Sequence, residues 1–316
     1  MEKASRSIIY TAICKMHYLI SHNFLNDLYD SGLPYAVIKG CPLELYKTGK
    51  ADARFINDID ILVSRENAPE VVNLLKKRGF SIVDNLRRED YIMALTSSHQ
   101  YPVYYKYVGE FFAQIDINYD IFWGEYTGQR IPVTHFLEDC KEINLWNCNI
   151  KTLSPMKMLI FVILHHYKEM NSIYHLMGHN AVKRRLFEDI YGLIINNPHV
   201  FTPEKVTYEC EQYKIVPYAY YMFYYTNLVF NNALSQYENL LYTPQGKDLL
   251  NKYGLSEKEQ KVWKIDFFDR FEMDKVISSI RADLSPFDID KLERNRTTFG
   301  RKNENSPYWS DNKKHS

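Results

Sequence analysis

Of 316 residues only 12 are glycine, 12 proline and 5 cysteine, and each shortage removes a class of protein. Glycine and proline at these counts exclude a collagen-like or low-complexity chain. Cys14, Cys41, Cys140, Cys148 and Cys210 are an odd set without a C-x-x-C pair, which argues against a disulfide framework and a thiolate zinc site. A reducing, cytoplasmic setting is the expectation. An excess of one charge sign is also missing, since 39 Lys and Arg balance 39 Asp and Glu. No global field therefore draws the chain to nucleic acid or to an anionic membrane, and neither is an expected partner. The most apolar run, Met158 to Leu164, falls far short of the roughly 20 residues that a membrane-spanning helix needs. The opening stretch breaks its apolar positions with charges and shows no small-residue cleavage site, so no signal peptide is expected. Aromatics, in contrast, are abundant, with 26 Tyr and 17 Phe. At 46% hydrophobic and 25% charged residues, the chain has the composition of one large or two modest folded domains.

Apolar side chains at helical spacing over 5–30, among them Ile9, Ile13, Met16, Ile20 and Phe24, predict an amphipathic first helix that Gly32-Leu33-Pro34 stops. A short buried strand is expected at Tyr35 to Ile38, then a break at Lys39-Gly40 and a helix from Pro42 to Tyr46. A strand from Phe55 to Val63, a helix from Pro69 to Arg78 and a strand from Phe80 to Val83 follow, with one or two strands within 91–107. From Phe111 to Phe122, Ile115, Ile117 and Tyr119 alternate with Gln114, Asp116, Asn118 and Asp120, the period of a strand with one polar face. The reading is an α/β (α+β) domain with a mixed sheet over 1–150. At Ser154-Pro155 the period becomes helical, and further helices are expected at 181–195, 203–213, 217–234, 245–253 and 257–280, giving an all-α domain over 151–293. The aromatic stretch at 219–230 suits a central bundle helix better than a base-stacking platform. Residues 294–316, rich in Arg, Lys, Asn and Ser, read as a disordered tail.

Chemistry concentrates in the first half. On a strand, residues two apart share a face about 6.5 Å apart, so Asp58 and Asp60 point together while Ile59 and Ile61 enter the core. Two carboxylates so placed repel unless a cation neutralises them, and hard oxygen donors select Mg²⁺ or Mn²⁺. Asp116 on the later strand is the third candidate ligand; Asn118 and Asp120 on the same face rank behind it. Lys39-Gly40 offers an ammonium and a backbone without Cβ before a helix N-terminus, a setting for an anion such as triphosphate. Arg54 either reaches a phosphate or neutralises the acidic cleft. His165-His166 and Asp189, on adjacent helices, read first as a structural hydrogen bond. A P-loop fails, because Gly49-Lys50-Ala51 has Glu44 where its first glycine should stand, and no His-Asp pair supports a helical phosphohydrolase.

A D-x-D alternation alone is more often a solvated face; the order of the pieces says more. A glycine turn, a short helix, an Asp-Ile-Asp strand and a later Ile-Asp-Ile strand resemble the DNA polymerase β-like nucleotidyltransferase superfamily over roughly residues 30–122. More narrowly, Ile38-Lys39-Gly40, Leu45-Tyr46, Arg54 and Asp58-Ile59-Asp60-Ile61-Leu62-Val63 resemble the bacterial uncharacterised nucleotidyltransferase family. The same holds for His165-His166 followed by Arg184, Arg185 and Asp189 downstream. The resemblance implies metal-dependent transfer of a nucleoside monophosphate from a nucleoside triphosphate, ATP first, to a hydroxyl or similar acceptor on a small molecule, sugar, peptide or protein. It implies cations on Asp58, Asp60 and Asp116, and phosphate contacts from Lys39 and Gly40. The superfamily's serine after the glycine is here Cys41, and the interval from Gly40 to Asp58 suits only the narrower family. The alternative is a non-catalytic nucleotide-binding or regulatory protein on the same fold.

Overall fold

Helix α1 (Glu2–Asp30) ends where Gly32 takes a left-handed φ of +74°, and the chain enters β1 (Tyr35–Ile38), α2 (Gly40–Thr48), β2 (Ile59–Val63) and α3 (Ala68–Lys77). The structure, a computed structural model, describes residues 2–56, 58–82, 101–123, 127–177, 182–286 and 289. The expected strands within 91–100, residue 83 and the tail at 294–316 lie outside these residues. Strands β3 (Tyr104–Val108) and β4 (Phe111–Asn118) form a hairpin, and Ser81 makes a single bridge to Tyr105 where a strand at Phe80 to Val83 was expected. A short helix α4 (Val133–Leu137) leads to β5 (Lys141–Leu145) and β6 (Cys148–Thr152).

The six strands lie in the order β3-β4-β2-β1-β6-β5. Strand β1 is antiparallel to β2 and parallel to β6, while β2 and β4 are parallel, so the sheet is mixed as expected. Period-two alternation splits it into two faces. Tyr35, Val37, Ile59, Ile61, Val63, Ile115 and Ile117 pack with Phe24, Leu25 and Leu28 of α1 and Val71, Val72 and Leu75 of α3. Ala36, Ile38 and Leu62 join a second core built from the helices that follow. Those are α5 (Pro155–Asn171), α6 (Ile173–Met177), α7 (Arg184–Asn196), α8 (Pro203–Gln212), α9 (Val216–Val229), α10 (Ser235–Leu241) and α11 (Pro244–Leu249). The aromatic helix α9 is central, with Tyr220, Tyr221, Met222, Phe223 and Tyr225 all buried. No described helix is long and apolar enough to cross a membrane.

Several sequence expectations differ from the fold: the strand expected from Phe55 begins only at Ile59, which leaves Asp58 just outside it, and the helix expected over 245–253 stops at Leu249 because Lys252 and Tyr253 pair as a strand. The helix expected over 217–234 stops at Val229, because Asn231 and Asn232 turn left-handed at φ 51° and 62°, a region asparagine tolerates. In place of one helix over 257–280 the chain forms β8 (Lys261–Val262) paired with β7 (Lys252–Tyr253), a 3₁₀ turn at Phe268–Phe271 and α12 (Met273–Arg281). Trp263 and Phe267 have helical spacing but enter different cores, Phe267 the large one and Trp263 a small one with Val276 and Ile280. The hairpin β5-β6 carries no Asn-Gly signal; its turn is made by Trp146 and Asn147, both at positive φ (49° and 66°).

Candidate active site

The turn between β1 and α2 is held by two successive left-handed residues, Lys39 (φ 56°, ψ −152°) and Gly40 (φ 49°). A lysine in that region stores backbone strain of order 1–3 kcal/mol, which persists only where the surroundings fix it. Here the fixing contact is an ion pair, Lys39 Nζ to Asp60 Oδ1 at 3.0 Å. At Gly40 an added Cβ would meet Ile56 Cγ2 at 3.4 Å, ordinary contact, so the objection to a side chain is the positive φ rather than space. Gly40→Ala is therefore expected to cost about 1–2 kcal/mol and to lower the thermal midpoint by a few degrees, as a melting curve would read.

Strand pairing brings the acidic residues together. Asp60 and Asp116 are register partners on the parallel strands β2 and β4, Ile38 is the partner of Asp60 on β1, and Asp58 lies one residue before β2. Their apolar neighbours Ile59, Ile61, Ile115 and Ile117 fill the opposite face, so the carboxylates project on the side of the helical layer. Asp60 also accepts from Asn118 Nδ2 at 3.2 Å, and Asp116 accepts from Gln114 Nε2 at 3.2 Å. Burial, then the charge of Asp60, pushes the Asp58 carboxyl up to about 6. Burial and the charges of Asp60 and Asp58 hold Asp116 well above the carboxylate range. Lys39 stays firmly charged, because Asp60 and Asp58 outweigh the burial that opposes its ammonium. Asp58, Asp60 and Asp116 thus act on one another and on Lys39 in one buried, acidic setting of hard oxygen donors. Asp120 accepts the N–H of Phe122 at 2.8 Å in the turn after β4.

With that geometry in view, the comparison with known families is decisive, as residues 5–231 match the model of a family described as uncharacterised nucleotidyltransferase. The chain belongs to this family. The resemblance carried by Lys39-Gly40, Leu45-Tyr46, Arg54 and Asp58 to Val63 names the same family, and the mixed sheet followed by helices is the fold expected from it. No curated protein matches the chain.

In this nucleotidyltransferase the wall facing the acidic strands is α5. Burial, then the charge of Lys39, drives His165 well below its ordinary range and brings Lys168 down to about 7. The Lys168 ammonium lies 4.2 Å from the centre of the Trp123 ring. His165 Nε2 is 3.2 Å from Glu169 Oε1, one turn further along the helix. Arg185 contributes positive charge at Asp58.

Behind the turn lies a second buried assembly that joins α2, α5 and α7. Lys47 Nζ bridges Glu44 Oε1 (2.8 Å) and Asp189 Oδ1 (2.7 Å), while Arg54 places Nε 3.0 Å from Glu44 and Nη1 3.2 Å from Asp189. His166 Nε2 meets Asp189 Oδ2 at 3.2 Å. Burial would raise the Asp189 carboxyl, but the His166 hydrogen bond and the charges of Arg54, His166 and Lys47 bring it far below the usual range. Arg54 thus stands at the edge of this assembly, and the histidine–aspartate pair spans α5 and α7. Sequence reasoning missed Glu44 and Lys47, although their i, i+3 spacing on a short helix was a usable signal; Lys168 and Glu169 were missed inside a helix read only for its apolar period.

Proposed function

We propose that the protein transfers a nucleoside monophosphate from a nucleoside triphosphate, ATP first, to a hydroxyl or similar acceptor on a small molecule, sugar, peptide or protein. The observation that carries this reading is the pairing of Asp60 with Asp116 across adjacent parallel strands, beside the strained Lys39-Gly40 turn. Asp58, Asp60 and Asp116 would hold Mg²⁺ or Mn²⁺, which when bound supplies neutralisation of the triphosphate and of the leaving pyrophosphate. The Lys39 ammonium and the N–H groups that open α2 would hold phosphate oxygens, with Arg54 adding positive charge at the rim. The acceptor oxygen attacks the α-phosphorus, the new P–O bond forms, and the bond to the β-phosphate oxygen breaks to release pyrophosphate. Asp120, in the turn after β4, would take the acceptor's proton. Residues 1–150 would supply this chemistry and 151–293 the opposing wall.

A thermal-shift panel of ATP, GTP, CTP and UTP, each with and without Mg²⁺ or Mn²⁺, tests the reading. A rise in midpoint that requires both nucleotide and metal supports it and names the donor, since a ligand at 100 times its Kd stabilises by about 2.7 kcal/mol. Equal shifts without metal would contradict it.

A further inference from the structure

We propose a second cation site, separate from the aspartates, in which His165, His166 and Glu169 of α5 bind a divalent ion of the Zn²⁺ class. Each of the three residues offers a donor atom, and the three atoms lie within 4.8 Å of one another. His165 Nε2 is 3.2 Å from Glu169 Oε1, and His166 Nδ1 is 3.8 Å from Glu169 Oε2, so one carboxylate stands between two imidazoles.

The decisive atom is His166 Nδ1. The side chain is buried, at 5% exposure, and Nδ1 has no hydrogen-bond partner among the described residues. Its other nitrogen, Nε2, lies 3.2 Å from Asp189 Oδ2, a contact that fixes the orientation of the ring. Nδ1 lies 3.8 Å from Glu169 Oε2, a separation too long for a hydrogen bond but one that a shared cation could span. A buried polar atom without a hydrogen-bond partner is costly, and a cation held by Nδ1 and the Glu169 carboxylate removes the cost. The contact behind the ring has the form that metal-bound histidines use, a carboxylate receiving the distal N–H and fixing the tautomer.

Two imidazole nitrogens and one carboxylate oxygen suit Zn²⁺, Co²⁺ or Fe²⁺ rather than Mg²⁺, and three protein ligands leave a position open. The side chains of His165 and Glu169 are 15% and 28% exposed, on the helix that also carries Lys168. The site uses none of the aspartates, so it stands or falls independently of the transfer chemistry.

The test is titration of the chelator-treated full-length protein with Co²⁺, followed by visible absorption and displaced with Zn²⁺. The expected result is a saturable band of a low-coordinate, nitrogen-bound cobalt ion at one equivalent. The band should persist in Asp58→Asn and weaken by about a hundredfold in affinity, or vanish, in Glu169→Gln and His165→Ala. These variants leave the buried Asp189 contact in place, and circular dichroism without metal checks their folding. Absence of the band in the wild type overturns the proposal, whatever the variants do. So does a band unchanged in both α5 variants, or one lost only in Asp58→Asn.

Discussion

Without metal at pH 7, Asp58→Asn should make the protein more stable and Asp60→Asn should make it less stable, although the two carboxylates are two residues apart. Burial and Asp60 oppose the charge of Asp58 and push its carboxyl up to about 6, from 3.8 for the free side chain. A raised carboxyl pKa means that the folded state binds the proton more tightly than the unfolded state. The stability this gives is present in full below about pH 4 and is lost as pH rises through 6. At pH 7 the ionised group costs roughly 2–3 kcal/mol, an amount the neutral amide avoids. The difference between wild type and Asp58→Asn should therefore be near zero at pH 4 and widen to a plateau above pH 7. Asp60 differs in its partners, since it receives Lys39 at 3.0 Å and Asn118 at 3.2 Å. Replacing it leaves a half-buried ammonium in a strained turn without its nearest counter-charge, a loss of about 1–3 kcal/mol. Urea unfolding of the two variants across pH 4 to 8 measures both signs; the same sign for both would show that the charges are not arranged in this way.

Asp189→Ala should be the most damaging single change, at about 3–5 kcal/mol, a large part of the 5–15 kcal/mol that a folded protein holds. Asp189 is 1% exposed and receives Lys47, Arg54 and His166, while Glu44, at 2%, shares the two cations. Removing one carboxylate leaves buried positive charge without compensation. The contacts around it carry the loss to the site, because α2 is held against α7 here. Asn196 and Asn197 donate side-chain N–H groups to the carbonyls of Lys47 and Tyr46, and the Lys47 stem packs on Gly192. The opposite end of α2 begins at Gly40, so loosening this joint frees the turn proposed to meet phosphate. Arg184→Ala, which removes the exposed pair with Glu188 and a cation–π contact with Phe230, is the control and should change stability by less than about 1 kcal/mol. Chemical denaturation of both variants measures the contrast.

The fold was most legible where a local period decides the structure. Ile115, Ile117 and their polar alternates specify β4, and the Gly32 and Gly40 breaks delimit β1. Asp60, Asp116 and Asn118 could be placed on one face by counting, because strand geometry has a period of two. Their lateral register, Asp60 opposite Asp116, depends on pairing between segments more than fifty residues apart and has no local signal. Long-range partners also hid the role of Arg54, whose neighbours Glu44 and Asp189 come from two different helices. The region after 250 was misread because Trp263 and Phe267 serve separate cores, so that tertiary packing overrides the helical spacing. The Trp146-Asn147 turn was illegible because it uses a tryptophan in a conformation that sequence rules reserve for glycine and asparagine.

Whether the aspartates bind a nucleotide through a divalent cation can be read by calorimetric titration. Wild-type protein and Asp60→Asn would each be titrated with α,β-methylene ATP, with and without Mg²⁺. Saturable binding is expected only for the wild type and only with Mg²⁺. Equal affinity in Asp60→Asn, or equal affinity without metal, would contradict it.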